Sequence, residues 1–170
     1  MAVMNNPYII MRGNVKYLRA EGNRPEMPAR AFSKWLELAI CKYKRWIYNG
    51  GTKDGGIDAL TPAGRKKIQL KSYVEYNQSS FNLGVRFDTQ EEAEEYGKIH
   101  QEEDCRAYAE KFNTLVLYAA KFRGEAFNPK NLQEINKHED IVAWLIEHSR
   151  PSYQNDRGRY LVQYKLKWEF

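Results

Sequence analysis

Cysteine and histidine are scarce in this chain, and their scarcity argues against a metal site built from them. The 170 residues include two cysteines, Cys41 and Cys105, and three histidines. No C-x-x-C motif or Cys/His cluster occurs, which disfavours a structural zinc site. Each cysteine falls in a predicted helix and no secretion signal precedes them, so we expect buried, reduced thiols. The separated histidines are more typical of helix surfaces than of a catalytic centre.

Long apolar runs and targeting signals are also absent. The longest apolar stretch, residues 114–120, has the length of a strand and falls far short of the ~18 residues that a membrane span needs. The N-terminal sequence MAVMNNPYIIMRG lacks the basic-then-apolar order of a signal peptide. We therefore expect a cytoplasmic protein with no membrane partner. Apolar residues make up 42% of the chain, and no repeat or linker interrupts it, so residues 1–170 are expected to form one domain.

The charge is unevenly distributed along the chain. Eight acids and one base lie between Asp88 and Asp104, giving that segment a net charge of −7. Since the whole chain carries +5, the remaining residues carry +12. A polarised basic surface suits a polyanionic partner, although solubility alone is the simpler explanation.

Hydrophobic periodicity predicts an α/β fold. Apolar residues at helical spacing predict helices, alternation predicts half-buried strands, and a continuous apolar run predicts a central strand. Residues 76–87 are polar and aromatic and are interpreted as a loop. The C-terminal alternation predicts a strand whose outer row carries Lys165 and Lys167. The predicted helices span residues 28–44, 88–112 and 131–148, and the predicted strands span residues 45–48, 57–61, 66–74, 114–120 and 160–170.

Residues 50–73 carry the most informative pattern. They predict an antiparallel hairpin whose first strand contains Asp58 and whose second strand contains Gln69 and Lys71. Because side chains alternate along a strand, Gln69 and Lys71 share one side, and the apolar residues between them face a core on the other. An acid beside a Q-x-K pair is the arrangement of a metal-dependent nuclease.

These three side chains suit the hydrolysis of a phosphodiester. The reaction requires a nucleophilic water, neutralised charge at phosphorus and a stabilised leaving oxygen, and bound Mg²⁺ supplies all three. Mg²⁺ prefers oxygen ligands, so Asp58 is the expected principal ligand. Lys71 is expected to orient or deprotonate the attacking water, or to steady the charged phosphorane. Gln69 is expected to coordinate through its amide oxygen or to position the water.

A second carboxylate is required, because Gln69 is neutral. Glu37 lies on the helix before the hairpin, just beyond the Ile40 edge of its apolar stripe. From there it either reaches a metal site at the rim of the sheet or meets solvent. Asp54, in the turn before the first strand, is another candidate, although the sequence Lys-Asp-Gly-Gly also suits a turn.

The order Glu37, then GGTKDGGIDAL with Asp58, then IQLKS with Gln69 and Lys71 resembles the PD-(D/E)xK nuclease superfamily. Its Q-x-K form is similar to Mrr-type restriction enzymes, some homing endonucleases and small Type II restriction enzymes. The resemblance covers residues 32–120 and implies a restriction-endonuclease-like core, in which a mixed central β-sheet is flanked by helices, with Mg²⁺ dependence and cleavage of double-stranded DNA. It places Asp58 and Gln69 on the two acid positions, Lys71 on the catalytic lysine and Glu37 on the upstream helix glutamate. The chain departs from the motif in two places: isoleucine replaces the usual proline before the aspartate, and glutamine replaces the second acid.

Polar and basic residues around the hairpin are candidates for DNA contact. The predicted loop directly follows the lysine strand and is therefore expected beside the scissile phosphate. Its amide side chains suit base edges, adenine above all, and its hydroxyl and guanidinium groups suit phosphates. Lysines that flank the hairpin suit the DNA backbone, whereas the alternative is an ordinary polar surface. The candidate DNA-binding residues are Asn77, Gln78, Ser79, Asn82, Arg86, Lys53, Lys66 and Lys67.

Cleavage of both DNA strands requires two active sites, which a two-fold homodimer on a palindromic site supplies. A homodimer is therefore expected. Two further functions stay open: a structure-specific or homing endonuclease of the same fold, such as a Holliday-junction resolvase, and a non-catalytic nucleic-acid-binding protein with a nuclease fold. The presence of Lys71 beside Gln69 argues against the last of these.

Overall fold

A computed structural model describes residues 29–49, 57–74 and 77–168 of the chain, with the backbone alone at residues 29–31, 77 and 78. These ranges form a mixed α/β structure in which helices flank a mixed central sheet. None of their helices is long and apolar enough to span a membrane. The described helices are α1 (Ala29–Lys44), α2 (Gln90–Ala109) and α3 (His138–His148), with a short 3-10 turn at Pro129–Asn131. The described strands are β1 (Ile47–Tyr48), β2 (Ala59–Leu60), β3 (Lys67–Val74), β4 (Asn77–Gln78), β5 (Ser80–Phe87), β6 (Thr114–Ala120), β7 (Leu132–Ile135), β8 (Ser149–Asp156) and β9 (Arg159–Leu166).

The central sheet has the strand order β1-β2-β3-β6-β7, and β4 pairs with the end of β3. β3 and β6 are parallel from Ile68↔Thr114 to Val74↔Ala120, whereas the other pairs are antiparallel. On its other edge, β3 pairs with β2 at residues 67–68 and with β4 at residues 73–74. The stretch 69–72 of that edge therefore lies between two short partner strands, in a gap where side chains can reach the backbone.

Two apolar clusters lie on opposite faces of the central sheet. On one face, Trp35 and Ile40 of α1 pack against Ile68 and Leu70 of β3, as the helical stripe and the strand alternation predict. On the other face, α2, α3 and a second sheet cover Leu115 and its neighbours on β6. Each fully buried aliphatic side chain contributes about 1.5–3 kcal/mol, so the two faces together fix the position of β3.

The second sheet is three-stranded and antiparallel, with the order β5-β9-β8, and it packs on α2. Phe81 of β5 stacks on Tyr164 of β9 on this inner face. α2 approaches β8 closely at Gly97, where an added Cβ would overlap the Tyr153 hydroxyl and lie 3.0 Å from Cβ of Pro151. A glycine weakens the middle of a helix, and here it allows the helix to contact the sheet.

The prediction of a loop over residues 76–87 is wrong, because residues 77–78 form β4 and residues 80–87 form β5. Phe81, Leu83, Val85 and Phe87 face the second apolar cluster. The residues that alternate with them, Asn82, Gly84 and Arg86, resemble loop composition, but they occupy the outward face of a half-buried strand.

The predicted helix over residues 131–148 is too long, since α3 begins at His138. Leu132 and Ile135 fit a helical stripe, but they belong to β7, which pairs with the edge of β6. β8 was not predicted either. It pairs with β9 across a turn in which Arg157 and Gly158 both have positive φ, at 55° and 87°, as a two-residue hairpin of type I′ requires.

Candidate active site

Asp58 precedes β2, and its carboxylate lies against the gap in the edge of β3. Oδ2 of Asp58 accepts hydrogen bonds from Nε2 of Gln69 at 2.6 Å and from the backbone N–H of Leu70 at 2.8 Å. The backbone of Asp58 is held by a further bond from its N–H to the carbonyl oxygen of Ile68. Among the described residues, no hydrogen bond is recorded to Oδ1 of Asp58 or Oε1 of Gln69. These two oxygens are thus available as ligands.

Glu37 of α1 lines the same cavity as Asp58, so its side chain faces this cavity and not open solvent. The side chains of Tyr48 and Ser33 hydrogen-bond the Glu37 carboxylate. Tyr48 lies on β1, the strand that pairs with β2 next to Asp58. A helix and the edge of the sheet therefore position the second acid together.

Both carboxylates carry raised pKa values in the absence of a cation. Burial, followed by the negative charge of Asp58, raises the pKa of Glu37 from 4.5 to about 7. Burial raises the pKa of Asp58 from 3.8 to about 6, against the opposing effects of the Leu70 N–H, Lys71 and Gln69. Burial and the two nearby acids also raise the pKa of the Cys41 thiol to about 12, so this cysteine is inert. Two buried acids whose charges interact in one cavity are candidates for a functional site.

Lys71 lines the same cavity as the two acids. Its Nζ donates a hydrogen bond to the carbonyl oxygen of Ser80 at 2.8 Å and lies 5.3 Å from the centre of the Tyr108 ring. Burial raises the pKa of Tyr108, and a hydrogen bond with Lys71 opposes that rise. Tyr108 is itself fixed by stacking on Phe81, with ring centroids 4.2 Å apart. The ammonium group is therefore oriented by β5 and α2, and it lowers the pKa of both acids.

The cavity has a volume of about 340 Å³ and is lined in part by the stretch of β3 between β2 and β4. Its polar wall brings together all four predicted catalytic residues, from α1, the β2 side of the hairpin and β3. Ser72, Ser79 and Ser80 complete that wall. Apolar side chains of α1 and β3 form the remaining wall. The lining residues that carry polar groups are Ser33, Glu37, Asp58, Gln69, Lys71, Ser72, Ser79 and Ser80.

The donor set fits one small, hard cation. Glu37 and Asp58 offer two carboxylates and Gln69 offers an amide oxygen, which matches the preference of Mg²⁺ for a few oxygen ligands and several waters. In the part of the chain that the structure describes, no group of three or more His, Cys, Asp and Glu side chains is placed to hold a metal. The set therefore depends on Gln69 as a neutral third ligand. Asp54, the alternative acid, lies outside the described residues.

The predicted DNA-binding residues occupy several different places. The Ser79 hydroxyl bonds the backbone N–H and carbonyl of Ser72, so it closes the β3 edge. Oδ1 of Asn82 accepts from the backbone N–H of Gly84. Arg86 is paired with Asp156 at 2.8 Å. Asn77 and Gln78 form β4, and Lys53 lies outside the described residues.

Lys66 and Lys67 are exposed at the turn end of β3. Lys67 and Lys71 are four positions apart, which corresponds to roughly 13 Å along a strand. These two lysines therefore lie at the far end of the strand from the serine wall of the cavity.

Sequence reasoning missed the side chains that hold the acids and the lysine in place. Ser33 precedes Glu37 by four residues and thus shares its side of α1, which a helical projection can show. Tyr48 and Tyr108 act across elements that are distant in sequence. No spacing rule identifies them, because their positions depend on how β1 and α2 pack.

Comparison of the chain with protein-family models, with curated proteins and with solved structures gave no match.

Proposed function

We propose that this protein is a Mg²⁺-dependent, site-specific endonuclease of the restriction type that hydrolyses phosphodiester bonds in double-stranded DNA. The observation that carries the proposal is the meeting of Glu37, Asp58, Gln69 and Lys71 in one cavity. Two acids, an amide oxygen and an ammonium group are the complement needed to hold a cation, a water and a phosphate together.

We further propose that the fold is restriction-endonuclease-like and that the chain is a divergent, Q-x-K member of the PD-(D/E)xK superfamily. The support is the order of the elements around the cavity. A helix carries Glu37, a hairpin carries Asp58, Gln69 and Lys71, and a parallel strand, β6, lies beside β3. α2 connects β5 to β6 across one face of the central sheet.

The cation would be held by Glu37, Asp58 and the amide oxygen of Gln69. When bound, Mg²⁺ supplies charge neutralisation at phosphorus and a water of lowered pKa. Asp58 is oriented by Leu70 N–H and Gln69, and Glu37 by Tyr48 and Ser33, so both acids are positioned before substrate arrives. Two carboxylates balance the charge of one divalent cation.

Lys71 acts on the water and on the phosphate. One of its N–H groups is committed to the Ser80 carbonyl oxygen, and the ammonium group keeps further donors for a substrate oxygen. A hydrogen bond from Nζ to the attacking water orients its lone pair towards phosphorus. As charge develops on the phosphoryl oxygens, the same group stabilises it.

A matched pair of lysine variants tests the role of Lys71. Lys71→Ala should reduce cleavage of plasmid DNA by at least about 10³-fold, since it removes the cation that contacts the transition state. Lys98→Ala, at an exposed position on α2 away from the candidate site, should retain cleavage within a few fold. Undiminished cutting by Lys71→Ala would contradict the proposal.

A homodimer is proposed because cleavage of both strands needs two copies of the cavity. Sedimentation of the protein alone and on a duplex should show two copies on the DNA. A strict monomer in both conditions would contradict the dimer, and faster cleavage of a four-way junction than of linear duplex would identify a structure-specific enzyme instead.

A further inference from the structure

The three-stranded sheet turns a polar face away from α2, and this face continues from the wall of the active-site cavity. Ser80 of β5 pairs with Lys165 of β9, and Lys165 pairs with Arg150 of β8. Because cross-strand partners point to the same side of a sheet, these three side chains form one row. Ser80 lines the cavity and its carbonyl oxygen holds Lys71. The row therefore begins at the catalytic lysine.

The basic side chains of this sheet are paired with acids at one end of the sheet and not at the other. At the end near the β8–β9 turn, Arg86 pairs with Asp156 at 2.8 Å, and Arg159 lies 3.4 Å from Asp88. At the cavity end, Arg150, Lys165 and Lys167 are exposed. No carboxylate within the described ranges lies in salt-bridge distance of any of these three cations. We call these three residues the basic edge.

The basic edge is an electrostatically unfavourable arrangement in the isolated protein. Lys165 and Arg150 are directly opposite each other in the β8–β9 ladder, and like charges in that position destabilise a sheet. Nη1 of Arg150 bonds the carbonyl oxygens of Ser149 and Glu147, which fixes the guanidinium but leaves its charge unneutralised. An anion placed along the row would relieve this repulsion.

The spacing of the basic edge suits a nucleic-acid backbone that passes through the cavity. Lys165 lies one strand from Ser80, and Arg150 lies two strands away, or roughly 10 Å. One strand of a duplex carries one phosphate per about 3.4 Å of helix axis, so a strand held at Lys71 presents further phosphates within roughly 10 Å. The next row of the face, Asn82, Gln163 and Ser152, adds hydrogen-bonding groups beside it.

We propose that the basic edge of Arg150, Lys165 and Lys167 binds the phosphates of duplex DNA that flank the scissile phosphate. The three-stranded sheet is then the DNA-binding surface of the protein, and its cavity end sets the path of the cleaved strand. The statement that the bound phosphates flank a scissile phosphate rests on the proposed nuclease function. The statement that this surface binds DNA rests on the geometry of the basic edge alone.

Duplex binding in EDTA tests this proposal without cleavage. A fluorescein-labelled 30-base-pair duplex is titrated with wild type, Lys165→Gln and Arg150→Gln, and anisotropy is followed over a range of salt concentrations. Arg159→Gln is the matched control, because it removes an exposed arginine from the same sheet at the end where an acid already pairs with it. Thermal unfolding of each variant confirms an intact fold.

Each basic-edge variant should weaken duplex binding about tenfold at low salt and reduce the slope of log affinity against log salt by about 0.9, the value for one phosphate contact. Arg159→Gln should change neither quantity. Unchanged slopes for Lys165→Gln and Arg150→Gln, an equal loss in Arg159→Gln, or tighter binding of single-stranded DNA or RNA than of duplex would overturn the proposal.

The outcome is separable from that of the nuclease proposal. If the wild-type protein cleaves DNA in Mg²⁺ and the basic-edge variants bind duplex normally, the nuclease proposal stands and the proposal for the basic edge is rejected. If the basic edge binds duplex but no DNA is cleaved in Mg²⁺, the proposal for the basic edge stands and the nuclease proposal is rejected.

Discussion

Glu37→Gln should stabilise the metal-free protein at pH 8 while it removes nuclease activity. Glu37 is an acid in a cavity where burial and the charge of Asp58 both disfavour its ionised form. At pH 8 this group is already ionised in the unfolded chain, so folding must bury its charge, and glutamine removes that cost. The amide keeps the size of the side chain and can still hydrogen-bond Tyr48 and Ser33.

The magnitude follows from the pKa of Glu37, which rises from 4.5 to about 7. A group with a raised pKa in the folded state binds more protons folded than unfolded, so stability is fully present below pH 4.5 and is lost as pH rises to about 7. A shift of about 2.5 units corresponds to roughly 3 kcal/mol. Because part of this is interaction with Asp58, we expect a gain of about 2 kcal/mol, or about 4–8 °C in Tm.

The assay is thermal unfolding in EDTA at pH 5 and pH 8. Wild type should lose stability between the two values, and Glu37→Gln should lose less. Glu95→Gln, at an exposed position on α2, is the matched control and should follow wild type. Added Mg²⁺ should raise the Tm of wild type at pH 8 but not that of Glu37→Gln, because the variant lacks one ligand.

A Glu37→Gln protein that is less stable than wild type at pH 8, or that loses as much stability as wild type between pH 5 and pH 8, would refute this reasoning. It would mean that the carboxylate is already solvated or neutralised within the cavity. The raised pKa of the acid pair would then have no bearing on metal binding.

Three further predictions concern the metal, the lysine and the helix packing. Mg²⁺ affinity should increase from pH 5 to pH 8, and binding should release protons, because Glu37 and Asp58 lose theirs at about pH 7 and about pH 6. Calorimetry in two buffers of different ionisation enthalpy measures this proton release. Tyr108→Phe should lower the cleavage rate about tenfold at saturating DNA and leave duplex affinity unchanged, because it removes a hydrogen-bond partner of Lys71 without removing the charge of the lysine. An unchanged single-turnover rate would show that the Tyr108 hydroxyl does not orient Lys71. Gly97→Ala should destabilise the fold by about 1–3 kcal/mol through overpacking against β8, although alanine favours a helix, and a gain of stability in urea unfolding would contradict the close contact.

The hairpin that carries the acid and the lysine could be predicted from sequence because its signals are local. Asp58, Gln69 and Lys71 lie within one turn-and-strand unit, and strand alternation alone places Gln69 and Lys71 on one side. Glu37 could be assigned only to the margin of a helical stripe. Its place in the cavity depends on the packing of α1 over β3, which the stripe does not determine.

The second sheet could not be predicted, because its strands pair across long separations. β5 and β9 are about 80 residues apart in the chain, so the polar residues of β5 resemble a loop until β9 lies beside them. For the same reason, the sequence alone did not distinguish Lys165 from Lys167, the other lysine on the outward face of the C-terminal strand. Only the register Ser80↔Lys165↔Arg150 connects it to the active-site cavity.

The most direct test of the central claim is incubation of purified protein with supercoiled plasmid or phage DNA in Mg²⁺ and, separately, in EDTA, beside Asp58→Ala. The account predicts discrete fragments from wild type in Mg²⁺ alone, and none from the variant, which lacks the principal ligand. Absence of any DNA cleavage by the wild-type protein in Mg²⁺, or cleavage that persists in EDTA or in Asp58→Ala, would contradict it.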